Sequence, residues 1–232
     1  MGILNINADS FFDGGAYQET EQALQQAKKM WDEGADIIDI GPASSKPGSA
    51  MIDPQKEWKI VKPVLEAIRS TYPEMLLSLD SYNAFTAEKA ISNGVDIIND
   101  ITAGTHDSSM LDLIGETKVP YIMMHMLGRP ENMQNAPRYD NVLKDIALFF
   151  SERLAAFREA GATDLILDPG FGFGKTIAHN YRILAQLHYF QQIFELPMLI
   201  GLSRKSMIYK LLNSSAAEAL NGTTALNMIA LQ

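Results

Sequence analysis

The chain has 232 residues, 47% of them hydrophobic, which fits one α/β domain with a large core. Its formal charge of -9 disfavours nucleic acid or an anionic membrane as main partner, although a few local cations still suffice to hold a phosphorylated small molecule. With no cysteine there are no disulfides, thiolate metal sites or cysteine nucleophiles, and neither a signal peptide nor a membrane-length apolar run is visible, so a cytoplasmic protein is expected.

Seven short apolar runs follow one another along the chain. "GILNI" carries Asn5, with Asn7 just beyond it, and residues 19–33 then read as a helix. "DIIDIG" contains Asp39 and leads into "SSKPGS", a loop of hydroxyls, one cation and turn residues, before a second helix over Pro54–Thr71. "LLSLDS" ends on Asp80, "DIINDI" on Asn99 and Asp100, and "YIMMHM" carries His125. A helix over residues 142–160 precedes "LILDPG" with Asp168, and another over residues 177–193 precedes "MLIGLS" with Ser203. A turn and a helix fill the remainder. Continuous apolar strands imply a parallel sheet buried on both faces, and strict strand–helix alternation implies α/β. The expected fold is one domain over 1–232, a TIM (β/α)8-type barrel lacking its last strand and helix unit in this chain. Nearly every strand ends in a polar residue, and in such a barrel those ends converge on the face where active sites are built.

"DPGFGFGK", residues 168–175, has the look of a nucleotide loop but fits neither G-x-x-x-x-G-K-[ST] nor G-x-G-x-x-G. It reads better as a turn leaving the sixth strand, with glycines that let backbone approach a flat ligand. Asp80, Asn99 and Asp168 are suited to a heterocycle bearing adjacent N–H and amino groups, since a carboxylate accepts two parallel hydrogen bonds and Asn both donates and accepts. The same oxygens are also hard ligands for a divalent cation. "SRK", residues 203–205, leaves the seventh strand, where barrels often hold phosphate. Of the four histidines only His125 stands at a strand end; no paired zinc spacing and no G-x-S-x-G elbow is present.

The stretches "MGILNINADSFFDGG", "GADIIDIGPASSKPGS", "LDSYNA", "GVDIINDITAG", "YIMMHMLGRPENMQ", "LILDPGFGFGKTIAHNY", "IGLSRKS" and "LNGTTALN" run in order through the whole chain. Together they resemble the dihydropteroate synthases of the pterin-binding barrel superfamily. The resemblance implies a Mg2+-requiring transferase of folate biosynthesis. It would join a dihydropterin pyrophosphate to p-aminobenzoate and release pyrophosphate. Asp80, Asn99, Asp168 and Lys205 would hold the pterin, with Met124 lining its pocket. Asn5 would place Mg2+ and pyrophosphate, helped by Ser45 and Lys46. Ser45, Pro47, Phe173 and Ser203 would surround p-aminobenzoate, where sulfonamides also bind. Lys205, Asp80 and Asn5 are the residues expected to carry catalysis. A homodimer is also implied. The chain departs from the family at Asn7-Ala8-Asp9 in place of Thr-Pro-Asp, and at Ser44-Ser45-Lys46-Pro47 in place of Ser-Thr-Arg-Pro. The family's last-strand Arg-x-His is absent. The alternatives are a catalytically impaired pterin-binding paralogue or fragment, or a folate-dependent methyltransferase of the same superfamily.

Overall fold

The computed structural model describes residues 1–6, 16–42, 52–128 and 137–232. Six strands form one parallel sheet in sequence order: β1 Gly2–Ile6, β2 Ile37–Pro42, β3 Leu76–Asp80, β4 Ile97–Asp100, β5 Tyr121–Met124 and β6 Leu165–Asp168. Helices α1 Ala16–Asp32, α2 Pro54–Thr71, α3 Ala84–Ser92, α4 Ser109–Thr117 and α5 Val142–Glu159 lie between successive strands. After β6 come α6 Ile177–Leu184, α7 Leu187–Phe194, α8 Ser206–Tyr209 and α9 Leu220–Ala230.

The helix starts follow from local chemistry. The Asp53 side chain caps α2 by accepting from the Lys56 amide at 3.0 Å, and Pro54, which has no N–H to leave unsatisfied, takes the first position. Asn141 caps α5, and Thr176 and His179 form a capping box at α6. Two expectations are corrected here. The helix expected over residues 177–193 is two helices, because Gln186 leaves the helical region with φ -131° and ψ 27°. The buried stripe Ile183, Leu184, Leu187, Phe190 runs straight through that turn, so periodicity alone cannot see it. The expected seventh strand is a single bridge, Leu167 to Met198. Pro197 has no N–H to donate and Gly201 no side chain to pack, so the ladder does not extend. Among the described residues the sheet stays open, with β1 at one edge and that bridge at the other.

Residues paired in register point to the same face of a parallel sheet. One set is Leu4, Ile40, Leu79, Ile98, Tyr121, Met123 and Leu167. All are buried, in one cluster with helix residues such as Val61, Leu65, Ile146 and Phe150. Asp100 belongs to this helix-facing set. Its carboxylate accepts from the Tyr121 hydroxyl at 2.6 Å and from the Thr102 and Gly104 amides, so it is a structural residue and not part of the strand-end site. The other set alternates with the first and contains the polar residues described below.

Between β3 and α3 the chain is held by Glu57 of α2, which is 1% exposed. One of its oxygens accepts from the Ser81 hydroxyl at 2.9 Å and the Asn83 amide at 2.8 Å. This fixes the backbone immediately after Asp80. Truncating Glu57 to Ala leaves two buried donors unpaired and is expected to cost about 2–4 kcal/mol in urea unfolding. Glu57→Gln, which retains one oxygen acceptor, is expected to cost less.

Candidate active site at the strand ends

The second set of in-register residues faces away from the helices. Asn5 lies opposite Gly41, Asp39 opposite Ser78, Asp80 opposite Asn99, and Met124 opposite Asp168. The strand pairing therefore brings Asp80 beside Asn99 and Met124 beside Asp168 at one end of the sheet, as the strand-end polarity had led us to expect. The Asn99 amide donates to an Asp39 oxygen at 2.9 Å, which fixes how that amide is turned. Asp39 is 4% exposed, and burial raises its pKa against the opposing Ser78 and Asn99 contacts. Its other oxygen and the Ser78 hydroxyl are both buried without a hydrogen-bond partner of normal geometry, so the floor of the site holds unspent polar capacity.

The end of β6 is the most strongly charged part of the site. The Asp168 side chain accepts from the Gly170 amide at 2.7 Å. Burial pushes its carboxyl up to about 6, opposed by that amide and by the charges of Lys205 and Lys175. Lys205 is lowered by burial and supported by Asp168. Its ammonium lies 4.5 Å from the centre of the Phe173 ring, within cation–π range. Phe173 packs with Met124, Tyr82, Ile101 and Met126 in a small apolar cluster separate from the main core. The result is an apolar slot edged by one carboxylate and one cation.

"SRK" divides. Ser203 is exposed, and Lys205 turns to Asp168. Arg204 turns outward, where its guanidinium donates to the Ala216 and Ala217 carbonyls, so it does not join Lys205 as a second site cation. Asn5 is exposed near the end of edge strand β1. Asn7, Ser45, Lys46 and Pro47 lie outside the described residues. Among the described residues no cluster of three or more His, Asp or Glu is placed to hold a metal. His125 is buried, with its ring edge-on to Phe149 at 5.0 Å, and burial lowers it to about 2. It is a neutral acceptor rather than an acid–base group. His188 is exposed and His179 is a cap.

A family model described as pterin binding enzyme matches residues 1–232. The dihydropteroate synthase of Escherichia coli (strain K12) is 42% identical over 232 residues, 99% of this chain and 81% of that protein. The chain belongs to the dihydropteroate synthases. A crystal structure of the Yersinia pestis dihydropteroate synthase with a sulfonamide drug complex superposes with a TM-score of 0.91 at 42% identity, covering 100% of this chain and 84% of that one. A Xanthomonas albilineans dihydropteroate synthase with 4-aminobenzoic acid gives a TM-score of 0.88 at 35% identity, covering 99% and 82%. Those relatives are barrels, which identifies the open six-stranded sheet as barrel architecture. Members of the family are transferases, and so is this chain.

Two buried charged residues, one on β2 and one at the end of the β6 loop, escaped the sequence reading as site candidates. Asp39 was visible only as a polar break in an apolar strand, and Lys175 only as the base at the end of a glycine-rich loop. The glycines of this loop differ in what they require. A Cβ on Gly170, at φ +69°, would lie 2.0 Å from the His125 carbonyl oxygen, so this glycine lets loop backbone meet strand-end backbone rather than a ligand. A Cβ on Gly172, at φ +84°, meets only the flexible Lys205 side chain at 3.4 Å. Both alanine variants carry the same left-handed penalty. Gly170→Ala adds a backbone clash and is expected to lose at least about 1–2 kcal/mol more than Gly172→Ala in urea unfolding.

Proposed function

We propose that this site joins 6-hydroxymethyl-7,8-dihydropterin pyrophosphate to p-aminobenzoate, giving 7,8-dihydropteroate and pyrophosphate. The observation that carries the reading is the two register-aligned pairs, Asp80 with Asn99 and Met124 with Asp168, on one face of the sheet, with Lys205 against Asp168. Asp80 and Asp168 accept from the amino-pyrimidine edge of the pterin, and Asn99, held by Asp39, supplies the complementary donor and acceptor. Met124 forms the apolar wall. Phe173, with Lys205 over its ring, borders p-aminobenzoate together with Ser203 and with Ser45 and Pro47 of the second loop. The same slot is read as the place where a sulfonamide competes.

The pterin methylene loses its C–O bond to pyrophosphate, whose oxygen takes the electron pair. The amine nitrogen of p-aminobenzoate then forms the C–N bond and releases a proton. The bound ring delocalises the developing positive charge, so no enzyme nucleophile is needed. Holding the two substrates in line is the main contribution of these side chains. Asn5 offers an exposed oxygen donor at the end of β1. Mg2+ usually keeps several waters and takes substrate phosphates instead of a full protein cage, so this donor fits a cation arriving with pyrophosphate. Mg2+ would supply charge neutralisation to the leaving pyrophosphate, with Lys46 beside it.

The homodimer and the cytoplasmic location belong to the same reading. Among the described residues no helix is long and apolar enough to cross a membrane. Sedimentation velocity is expected to show a species of twice the chain mass.

Calorimetric titration of the pterin pyrophosphate with Mg2+, followed by p-aminobenzoate, tests the reaction. Binding of the second ligand only after the first, with pyrophosphate release, supports the synthase. Pterin binding with no response to p-aminobenzoate would leave an impaired pterin-binding protein instead.

A pH series tests the role of Asp168. Its carboxylate is the accepting form, and it is lost as pH falls through about 6. Pterin affinity is expected to hold above that value and to fall roughly tenfold per pH unit below it. Asp168→Asn is expected to bind weakly with no such break. A wild-type profile that stays flat between pH 5 and 7 would remove Asp168 from pterin recognition.

A further inference from the structure

Lys175 ends the glycine-rich loop, yet none of the roles described above uses it. Its side chain is 4% exposed and folds back under its own loop. The ammonium lies 2.9 Å from the Gly170 carbonyl oxygen, 3.0 Å from that of Phe173, 3.1 Å from that of His125, and 3.0 Å from His125 Nδ1. A lysine has three N–H donors and no acceptor, so four acceptors at these distances require one donor to be shared. Because His125 is neutral, its Nδ1 is the accepting nitrogen and the ring proton sits on Nε2. Burial lowers the ammonium to about 7, and the nearby Asp168 carboxylate acts against that loss.

The loop folds round this group. The Phe173 amide donates to the Gly170 carbonyl at 3.1 Å, and the Gly172 amide donates to the Asn180 side chain of α6 at 2.8 Å. Two loop carbonyls point inward to Lys175. On the outside, the ring of Phe173 faces Lys205. The same residue thus has its carbonyl on one lysine and its ring on another. The His125 contacts tie the whole loop to the end of β5, where Met124 stands opposite Asp168.

We infer that Lys175 is a positioning residue: its buried ammonium gathers the carbonyls of the 169–174 loop onto the end of β5 and so sets the ring of Phe173 against Lys205. It touches neither substrate. Its consequence for p-aminobenzoate rests on the function proposed above; its hold on the loop does not.

The test has two readouts. The first needs no substrate. In Lys175→Met, hydrogen exchange across residues 169–174 is expected to rise at least tenfold, while exchange in β2, β3 and α2 keeps its wild-type rates. A rise spread evenly over the chain, or no rise in the loop, overturns the inference. The second readout is steady-state kinetics. Lys175→Met is expected to raise KM for p-aminobenzoate at least tenfold while pterin affinity at pH 7 changes less than threefold. Lys175→Arg, which keeps the charge but not the compact shape, is expected to fall between the two. In a Phe173→Ala background the Lys175→Met change is expected to alter KM by less than twofold, because the ring it positions is gone. Equal effects in both backgrounds would reduce Lys175 to general stability and overturn the inference. Should Lys175→Met yield no folded protein, Lys175→Arg goes through both readouts, with a threefold rise in loop exchange and in KM expected, and with no rise, or a rise spread evenly over the chain, overturning the inference. If the wild-type chain shows no p-aminobenzoate-dependent pyrophosphate release, the proposed function fails and the exchange experiment alone decides the role of Lys175.

Discussion

Everything at this site depends on the parity of a parallel sheet. Side chains alternate between two faces, so each strand has one set for the helices and one for the open face. A slip of one residue in β6 would turn Leu167 toward the open face and Asp168 into the core. The large apolar residues on the helix side prevent it: Ile40, Leu79, Ile98, Met123 and Leu167 are completely buried. The core therefore does more than stabilise the chain. By fixing register it determines which polar atoms meet, and the contact between Asn99 and Asp39 is one product of that constraint.

The second organising feature is a concentration of buried charge in an acidic protein. Asp168 is set between Lys205, beside the slot, and Lys175, beneath the loop. Each group is pushed toward its neutral form by burial and drawn back by its neighbours. Such an arrangement costs stability, and it holds the recognition groups close to the pH at which small changes in surroundings alter their charge. The net charge of -9 is thus no guide to the field inside the pocket.

Much of this architecture was legible in the sequence. Strand positions followed from apolar runs, and α2 could be bounded to the residue because Asp53 and Pro54 announce its start. Polar strand ends pointed to one face and one end of the sheet, where the pairing does bring Asp80 beside Asn99 and Met124 beside Asp168. What stayed hidden has physical causes. The turn between α6 and α7 leaves the apolar stripe intact, so no pattern marks it. The bridge at Met198 depends on pairing with β6, which a one-dimensional pattern does not contain. Asp100 looked equivalent to Asn99 because adjacent residues share a strand end but not a face. Lys175 looked like no more than the basic end of a glycine-rich loop, because its partners, three backbone carbonyls and the His125 ring, come from two separate segments.

The two-sided setting of Phe173 has an implication for how such a site changes over generations. Its main chain is tied down from within, while its ring projects outward from the loop. The shape of the loop therefore does not need that particular side chain. Another residue at this position would reshape the outer surface of the loop and leave its scaffold standing. Gly170 has no such freedom, since the His125 carbonyl fills the space a side chain would need. Within five residues the chain combines a position open to innovation with one closed to it, and the division follows main-chain contacts rather than distance from the ligand.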